Sequence, residues 1–280
     1  MPLAGLDVSV ALDTIGTSFA WWRDAAVRLD GAGYDGIRCW DHFVRHGRPA
    51  KPVLECWTTI TAVAAVTQRV TIGPFVLNVM NRHPAVVARM AATLQEASNG
   101  RLVLGIGIGG FADEHVMYGM PYPDVPERVA RLEEAVAVLH ALWTGGPISR
   151  ESAYYPLVDA DALPIPTPPP PIVVGGQTRT GAGVAARIAD GWTCRPEDLD
   201  RLLPVFQDAL AAAGRRRDEV RVIVGWENGR SGEDALAGSP WIAAPFDEAT
   251  RWRSAGADGV VLLARTEADV RALVDAAGRW

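Results

Sequence analysis

Lysine and cysteine are both scarce in this 280-residue chain. Lys51 is the single lysine, so nearly all of the 27 basic residues are Arg, which we attribute to genomic GC bias and not to function. The cysteines Cys39, Cys56 and Cys194 are widely spaced, odd in number and fit no C-x-x-C pattern. This usage argues against a disulfide framework and predicts a reduced, cytoplasmic protein.

Long apolar runs and basic stripes are missing as well. No apolar run approaches the length of a membrane span, and no run of Lys or Arg accompanies the net charge of −6. We therefore expect neither a membrane nor a nucleic acid as a partner. The first segment, MPLAGLDVSVALDT, has no basic region and carries Asp7 and Asp13, so we expect no secretory signal peptide.

What the chain does contain is a regular alternation of short β-type runs and longer amphipathic stretches. Strands without polar alternation, each followed by a helix, are typical of a parallel sheet covered by helices. Eight such units predict a closed (β/α)8 TIM barrel over residues 1–280 as a single domain; an open, doubly wound sheet is the alternative. The expected strands are Leu6–Leu12, Tyr34–Trp40, Arg69–Leu77, Leu102–Ile108, Ile172–Val174, Trp192–Cys194, Val220–Trp226 and Gly259–Leu263.

One long segment breaks the alternation. Residues from about 145 to 171 end in PIPTPPPP and are too rich in proline for either periodic element. We expect a loop excursion over one mouth of the barrel, because Pro171 leads directly into a strand. Long βα loops at that mouth commonly carry the site.

The stretch RLVLGIGIGG (101–110) contains the spacing G-x-G-x-x-G in Gly105, Gly107 and Gly110, which is typical of a dinucleotide-binding turn. That turn requires a helix immediately after the last glycine and an acidic residue about 20 residues further on. Three prolines between positions 121 and 126 prevent one continuous helix here, and no strand follows to supply the carboxylate. The Rossmann interpretation is therefore rejected.

Glycines at the end of the fourth barrel strand have two remaining interpretations. Without a Cβ, Gly107 and Gly109 allow a flat ring or a phosphate to approach the backbone closely. Alternatively, the glycines only permit tight packing inside the barrel.

Three long motifs resemble the luciferase-like monooxygenase superfamily, and most closely its coenzyme F420-dependent branch. They are RVTIGPFVLNVMNRHPAVVARMAATLQEASNGR, GRLVLGIGIGGFADEHVMYGMPYPDVPERVARLEEAVAVLHALWTGGP and PPPPIVVGGQTRTGAGVAARIADGWT. The likeness runs in order from about residue 6 to 195 and weakens towards Trp280. It implies a TIM barrel, commonly homodimeric, with a flavin-like ring across the carboxyl ends of the strands.

His42 and Asp41 are the predicted catalytic residues. They belong to the run C-W-D-H-F that ends the second strand, and polar residues at such a strand end point into the active-site mouth. A His beside an Asp is suited to proton transfer near neutral pH, and the resemblance gives His42 the acid/base role. The alternatives are a His that only caps a turn and a metal site with His46. His83 is interpreted as a turn histidine, and His115 as a helix residue without a chemical role.

The predicted cofactor-binding residues come from three strand ends. The resemblance implies a cis peptide at Phe75–Val76 and a phosphate loop after strand five. Such a loop combines free amides with a helix N-terminus, an ordinary anion site, although a plain βα turn has the same sequence pattern. The full set is Phe75, Val76, Asn78, Gly107, Ile108, Gly109, Asp113, Gly175, Gly176, Gln177 and Thr178.

One position departs from the family pattern. Where deazaflavin dehydrogenases of this family carry a Glu that assists the His, this chain has Gly110, and Asp113 and Glu114 are the nearest substitutes. We therefore expect an F420-dependent oxidoreductase that reduces an activated C=C or C=N bond of a small organic substrate. The alternatives are an FMN-dependent monooxygenase supplied by a partner reductase, and a cofactor-free barrel that binds small molecules.

Overall fold

The computed structural model describes residues 3–45, 50–226 and 236–280, without the side chain of Trp226. Nine strands form one parallel sheet. They are β1 (Asp7–Leu12), β2 (Gly36–Cys39), β3 (Thr71–Pro74), β4 (Leu77–Asn78), β5 (Leu104–Gly107), β8 (Ile172–Gly175), β9 (Gly191–Cys194), β10 (Arg221–Trp226) and β11 (Gly259–Ala264); β6 (Ile148–Arg150) and β7 (Leu157–Ala160) form a separate antiparallel hairpin.

The sheet closes on itself as the predicted TIM barrel. Its first strand, β1, pairs with both β2 and the last strand, β11. The predicted third strand is divided: β3 pairs with β2, whereas β4 pairs with β5. A parallel bridge between Ile72 and Leu102 joins the two ends of the strand order, so that nine strands take the eight positions of the barrel.

Helices follow the strands around the ring. They are α1 (Phe19–Ala32), α2 (Cys56–Ala64), α3 (Pro84–Ala97), α4 (Ala112–Tyr118), α5 (Val125–Leu142), α6 (Arg179–Ile188), α7 (Leu199–Ala212), α8 (Pro240–Ala243), α9 (Pro245–Ser254) and α10 (Glu267–Ala277). Side-chain caps begin several of them, such as Asp124 on the amide of Glu127 and Thr266 on that of Asp269. In the described part of the chain, no helix combines the length and apolar character that crossing a membrane requires.

Apolar side chains also fill the inside of the barrel. A small cluster there, which we call the apolar plug, consists of Ala11, Trp40, Phe75, Ile223, Val261 and Leu263. Phe75 lies so close to β10 that a methyl group on Gly225 would be 3.0 Å from its ring. A much larger core packs the outer faces of the strands against the helices.

The proline-rich excursion does not cross the mouth of the barrel, and this prediction was wrong. It joins a helix, α5, to a strand, and such connections start at the amino-terminal end of the barrel because each helix runs back antiparallel to its strand. The segment lies along the outside of α3 and α5: Gln95 donates to the carbonyl of Pro168 and Arg89 to that of Leu163, and Tyr155 contacts His83. It also contains the β6–β7 hairpin, which the sequence did not predict.

Candidate functional site

His42 and Glu114 form a hydrogen-bonded pair at the carboxyl-terminal mouth of the barrel. His42 follows β2, and Glu114 lies in the first turn of α4. Nδ1 of His42 is 2.9 Å from Oε1 of Glu114. The Glu114 side chain is only 2% exposed, whereas that of His42 is 26% exposed. Gly110, where the family pattern has a Glu, carries no carboxylate. Glu114, four residues further along the chain, provides the carboxylate beside His42 instead.

Phe111 and Trp40 enclose the same histidine. The ring centroids of His42 and Phe111 are 4.9 Å apart, and those of His42 and Trp40 are 6.5 Å apart. Apolar rings around a His–carboxylate bond lower the local dielectric and strengthen the electrostatic interaction between the two groups. The arrangement can therefore hold or release one proton at a fixed place.

His115, the residue after Glu114, anchors α4 to the barrel. Its Nδ1 is 3.0 Å from the carbonyl oxygen of Pro121, which can only accept, so Nδ1 carries the proton. Its Nε2 then accepts from Nδ2 of Asn78 at 2.8 Å. The ring is completely buried. His115 is thus a positioning residue for its neighbour Glu114, a role that its helical context did not indicate.

Asp41 faces away from this pair. Its carboxylate accepts from Nη1 of Arg82 at 2.9 Å, from the backbone amide of Asn78 and from Nδ2 of Asn81, both at 3.0 Å. Burial alone would lower the pKa of Arg82, but the charge of Asp41 raises that pKa above its usual value. Asp41 therefore fixes the N-R-H-P turn onto β2. The expected catalytic partnership of Asp41 with His42 is replaced by the bond to Glu114.

Glu55 completes this buried network from the N-terminus of α2. Its Oε1 accepts from Nη2 of Arg82 at 2.5 Å, and its carboxylate also caps the amides of Trp57 and Thr58. Burial would raise the pKa of the Glu55 carboxyl, but the hydrogen bonds from Thr58 and Trp57 and the charge of Arg82 hold it below its usual value.

Asp13 is a further carboxylate at this mouth that the sequence analysis did not select. It directly follows β1, and its Oδ1 accepts from the amide of Ile15 at 2.8 Å. Burial raises its pKa, and the charges of Arg265, Lys51 and His42 oppose that shift. Its position immediately after a barrel strand was the signal that could have identified it.

Val76 forms the wall beside these groups. The peptide bond between Phe75 and Val76 is cis, as the resemblance implied. A methyl group on Gly107 would lie 2.9 Å from Cγ2 of Val76, and one on Gly175 would lie 3.1 Å from the same atom. These glycines therefore make room for Val76, and the space above them is not bare backbone as expected. The packing alternative explains part of the glycine pattern.

Gly109 and Ile108 are fixed by side chains around them. Gly109 has a φ of +74°, and a methyl group there would also overlap the amide of Asn78. The carbonyl oxygens of Ile108 and Gly109 both accept from Nη1 of Arg128, at 3.0 and 2.8 Å. The end of β5 thus has a single, well-supported backbone shape. Asp113 lies nearby, exposed in the first turn of α4.

The predicted phosphate loop lies at the N-terminus of α6, and Gln177 and Thr178 are exposed there. Thr178 caps the helix by accepting from the amide of Gly181 at 3.1 Å. The amide of Gly176 already donates to the carbonyl of Thr193, and a methyl group on Gly176 would collide with the backbone of Gly181. Gly176 is therefore a packing residue, which leaves the exposed helix N-terminus as the part of this loop that suits an anion.

Two other predictions concern histidines. His83 caps α3 by accepting from the amide of Ala85 at 3.2 Å, which confirms it as a turn residue. His46, the third member of the metal alternative, lies outside the described residues.

Comparisons with known proteins identify relatives of this chain. F420-dependent glucose-6-phosphate dehydrogenase of Nakamurella multipartita is 37% identical over 209 residues, which cover 72% of this chain and 61% of that relative. The protein of the same name from Microbacterium testaceum is 36% identical over 210 residues, again 72% and 61% of the two chains. The matched region thus spans less than two thirds of these relatives.

Solved structures share the fold at low sequence identity. An F420-dependent secondary alcohol dehydrogenase in complex with an F420-acetone adduct has a TM-score of 0.81 at 19% identity, covering 99% of this chain and 98% of that one. The model of the luciferase-like monooxygenase family matches residues 5–227. Because this match extends over most of the sequence, the chain belongs to the luciferase-like monooxygenase family.

Proposed function

We propose that this protein is an oxidoreductase that binds coenzyme F420 and transfers a hydride between the deazaflavin and a small organic substrate. The observation that carries the proposal is the 2.9 Å bond between His42 and the buried Glu114. The F420-dependent names of the relatives support the choice of coenzyme.

The residues at the mouth fit such a coenzyme. Val76 offers an apolar wall for a flat ring, and the exposed N-terminus of α6 at Gln177 and Thr178 suits a phosphate. Asp113 is exposed close to the same mouth and is available to a polar group. When bound, coenzyme F420 supplies two-electron hydride chemistry, and the protein supplies orientation and proton handling.

His42 and Glu114 manage the proton that accompanies the hydride. The Glu114 carboxylate fixes the orientation of the imidazole ring through Nδ1 and places a proton acceptor beside it. A protonated His42 serves as the acid for reduction of a C=C or C=N bond, and a neutral His42 serves as the base for oxidation of an alcohol. The preference for reduction rested on the missing carboxylate at Gly110. Because Glu114 supplies one, alcohol oxidation becomes the second candidate reaction.

Anaerobic turnover tests this proposal. The purified protein is given reduced F420 with activated alkenes or imines, or oxidised F420 with alcohols, and the absorbance of the oxidised deazaflavin is followed. Turnover in either direction supports the proposal and selects the substrate class. Oxygen consumption with reduced FMN, supplied by a reductase, would instead support a monooxygenase. Failure to bind F420 or FMN at micromolar concentration, measured by fluorescence titration, would support a cofactor-free binding barrel.

We further propose that the protein acts in the cytoplasm as a homodimer on a free small molecule, without nucleic acid or membrane. The family resemblance supports the dimer, the cysteine usage supports the cytoplasm, and the net charge of −6 supports a partner other than nucleic acid or an anionic membrane. Light scattering on the purified protein tests the dimer against the 30.0 kDa mass of one chain.

A further inference from the structure

A cavity of about 370 Å³ with both polar and apolar lining residues opens at the amino-terminal end of the barrel, opposite to His42. Its lining comes from the first residues of the strands and includes Ser9, Arg38, Thr71, Val173, Arg221 and Ile223. We call it the amino-terminal cavity. The apolar plug lies at its inner end, where Phe75 and Val261 bound the adjoining space. The volume is in the range of pockets that hold small organic molecules, which begins at roughly 300 Å³.

Arg38 is the unusual feature of this cavity. Its side chain enters the barrel from β2, and the residue is only 8% exposed. Nη1 donates to the carbonyl oxygens of Ile37 and Thr71 at 3.1 and 3.0 Å, and Nη2 donates to Oγ1 of Thr71 at 3.0 Å. In the described part of the chain, every acceptor within hydrogen-bond distance of Arg38 is therefore neutral. A buried cation without an ion pair is costly, and charged residues are rarely buried unless paired.

Three carboxylates, those of Asp7, Asp35 and Asp190, also line the cavity, and each has a partner other than Arg38. Oδ2 of Asp7 is 2.5 Å from Nη2 of Arg221. Asp35 and Asp190 each accept a backbone amide at 2.8 Å, from Val8 and Ile172 respectively. Their charges reach Arg38 only over longer distances. Burial and, to a smaller extent, the charge of Arg221 lower the pKa of Arg38 to about 10, and the charges of Asp7 and Asp35 offset these effects only in part.

Polar groups converge beside Arg38. A methyl group on Gly36 would lie 2.6 Å from both Oγ of Ser9 and Oγ1 of Thr71, and 2.7 Å from Nη1 of Arg38. Glycine at this position thus allows a hydroxyl and a guanidinium to share one corner of the cavity. A guanidinium and a hydroxyl are donors that match the acceptor oxygens of a carboxylate or a phosphate.

We propose that the amino-terminal cavity binds a small organic oxyanion, whose carboxylate or phosphate group is held by Arg38 and the hydroxyl of Ser9. Such a group supplies the counter-charge that Arg38 lacks, and the remaining volume accommodates the rest of the molecule. This site is separate from the proposed cofactor site and does not depend on it.

The first test is anion-dependent thermal stabilisation of the cofactor-free protein. Inorganic phosphate and succinate are titrated separately at constant ionic strength, and the unfolding midpoint is measured. An oxyanion that binds the folded state raises the midpoint with its concentration. We expect at least one of the two to do so. The Arg38→Met variant should need at least tenfold more of that anion for the same rise. Methionine retains the apolar stem of the Arg38 side chain and adds no charge, so this variant should keep the packing at this position and fold.

Two control variants separate this site from other effects. Arg28→Met removes an exposed ion pair with Glu267 and should leave the stabilisation unchanged. Thr178→Ala alters the predicted phosphate loop and should reduce only the part of a phosphate stabilisation that arises at the N-terminus of α6. Equal stabilisation in the wild type and Arg38→Met, or no stabilisation of the wild type by either anion, would overturn the proposal.

A crystallographic measurement does not depend on the stability of any variant. Crystals of the wild-type protein are soaked in selenate, an anomalous scatterer with the geometry of phosphate. An anomalous peak within hydrogen-bond distance of the Arg38 guanidinium supports the proposal. A peak only at the N-terminus of α6, or none in the cavity, contradicts it.

Discussion

Nε2 of His115 and Nδ2 of Asn78 are 2.8 Å apart, and this bond ties the helix that carries Glu114 to the strand that follows Val76. The tie explains how a seven-residue helix holds a buried carboxylate in place. Adjacent residues of α4 thus have different roles: Glu114 contacts His42, and His115 attaches the helix to the barrel.

The Glu114→Gln variant should lower turnover by about 10²-fold or more, because it removes the charge that stabilises a protonated His42 while keeping the shape of the side chain. Steady-state kinetics over a range of pH is the measurement, and one limb of the pH profile should change. Glu133→Gln, which alters an exposed ion pair with Arg187, is the matched control. Equal turnover in Glu114→Gln and the wild type would remove Glu114 from the reaction.

The His115→Phe variant should destabilise the protein by about 1–3 kcal/mol, since the side-chain amide of Asn78 loses its buried hydrogen-bond partner. It should also change the pH profile of kcat in the same way as Glu114→Gln, which a merely structural loss would not do. His115→Gln keeps a donor and an acceptor and should restore part of that profile. A profile in His115→Phe that matches the wild type would show that His115 does not position Glu114.

The Asp41→Ala variant should lose about 1–3 kcal/mol of stability, because it removes the more buried of the two carboxylates that pair with Arg82 and leaves donors of Asn78 and Asn81 without their acceptor. Denaturant unfolding provides the measurement. We expect the fraction that remains folded to keep the pH profile of the wild type, since the Asp41 carboxylate is bonded to Arg82, Asn78 and Asn81. A change in that profile without a loss of stability would restore Asp41 to the proton-transfer machinery.

Glu55 should contribute to acid sensitivity. Its pKa is lower in the folded protein than the ordinary value of 4.5, so its stabilising effect is fully present above pH 4.5 and is lost as the pH falls through the folded-state pKa. The difference in unfolding free energy between the wild type and Glu55→Gln should therefore shrink on acidification. A difference that is constant or grows between pH 6 and pH 3 would be the opposite result.

Val76 and Gly107 should be energetically coupled. Gly107→Ala places a methyl group 2.9 Å from Cγ2 of Val76, so it should destabilise the wild type, and Val76→Ala should relieve that clash. A double-mutant cycle measured by thermal unfolding should give a coupling energy of at least about 0.5 kcal/mol. Additive effects would mean that the two residues do not share this space.

The barrel itself was largely predictable from the sequence, and each of its eight strand positions was predicted. Apolar runs such as those in β1 and β11 are buried on both faces, which makes them recognisable without any partner. The family resemblance implied the cis peptide at Phe75–Val76, but the division of the third strand there was not predicted. The hairpin of β6 and β7 was missed because its short strands are mostly exposed and carry little periodicity.

The site was harder to predict because it depends on distant pairings. His42 and Glu114 are 72 residues apart, and the register of a short helix decides whether Asp113 or Glu114 turns inward. The place of the proline-rich excursion, by contrast, was deducible. It follows a helix and not a strand, so it could not begin at the catalytic mouth.

The apolar plug closes the interior of the barrel between its two ends, so the described part of the barrel contains no continuous channel. The plug residues, among them Phe75 and Ile223, lie between the amino-terminal cavity around Arg38 and the site around His42. A small molecule that enters the amino-terminal cavity must therefore leave through the same opening. Apolar side chains thus separate the solvent in the amino-terminal cavity from His42 and Glu114.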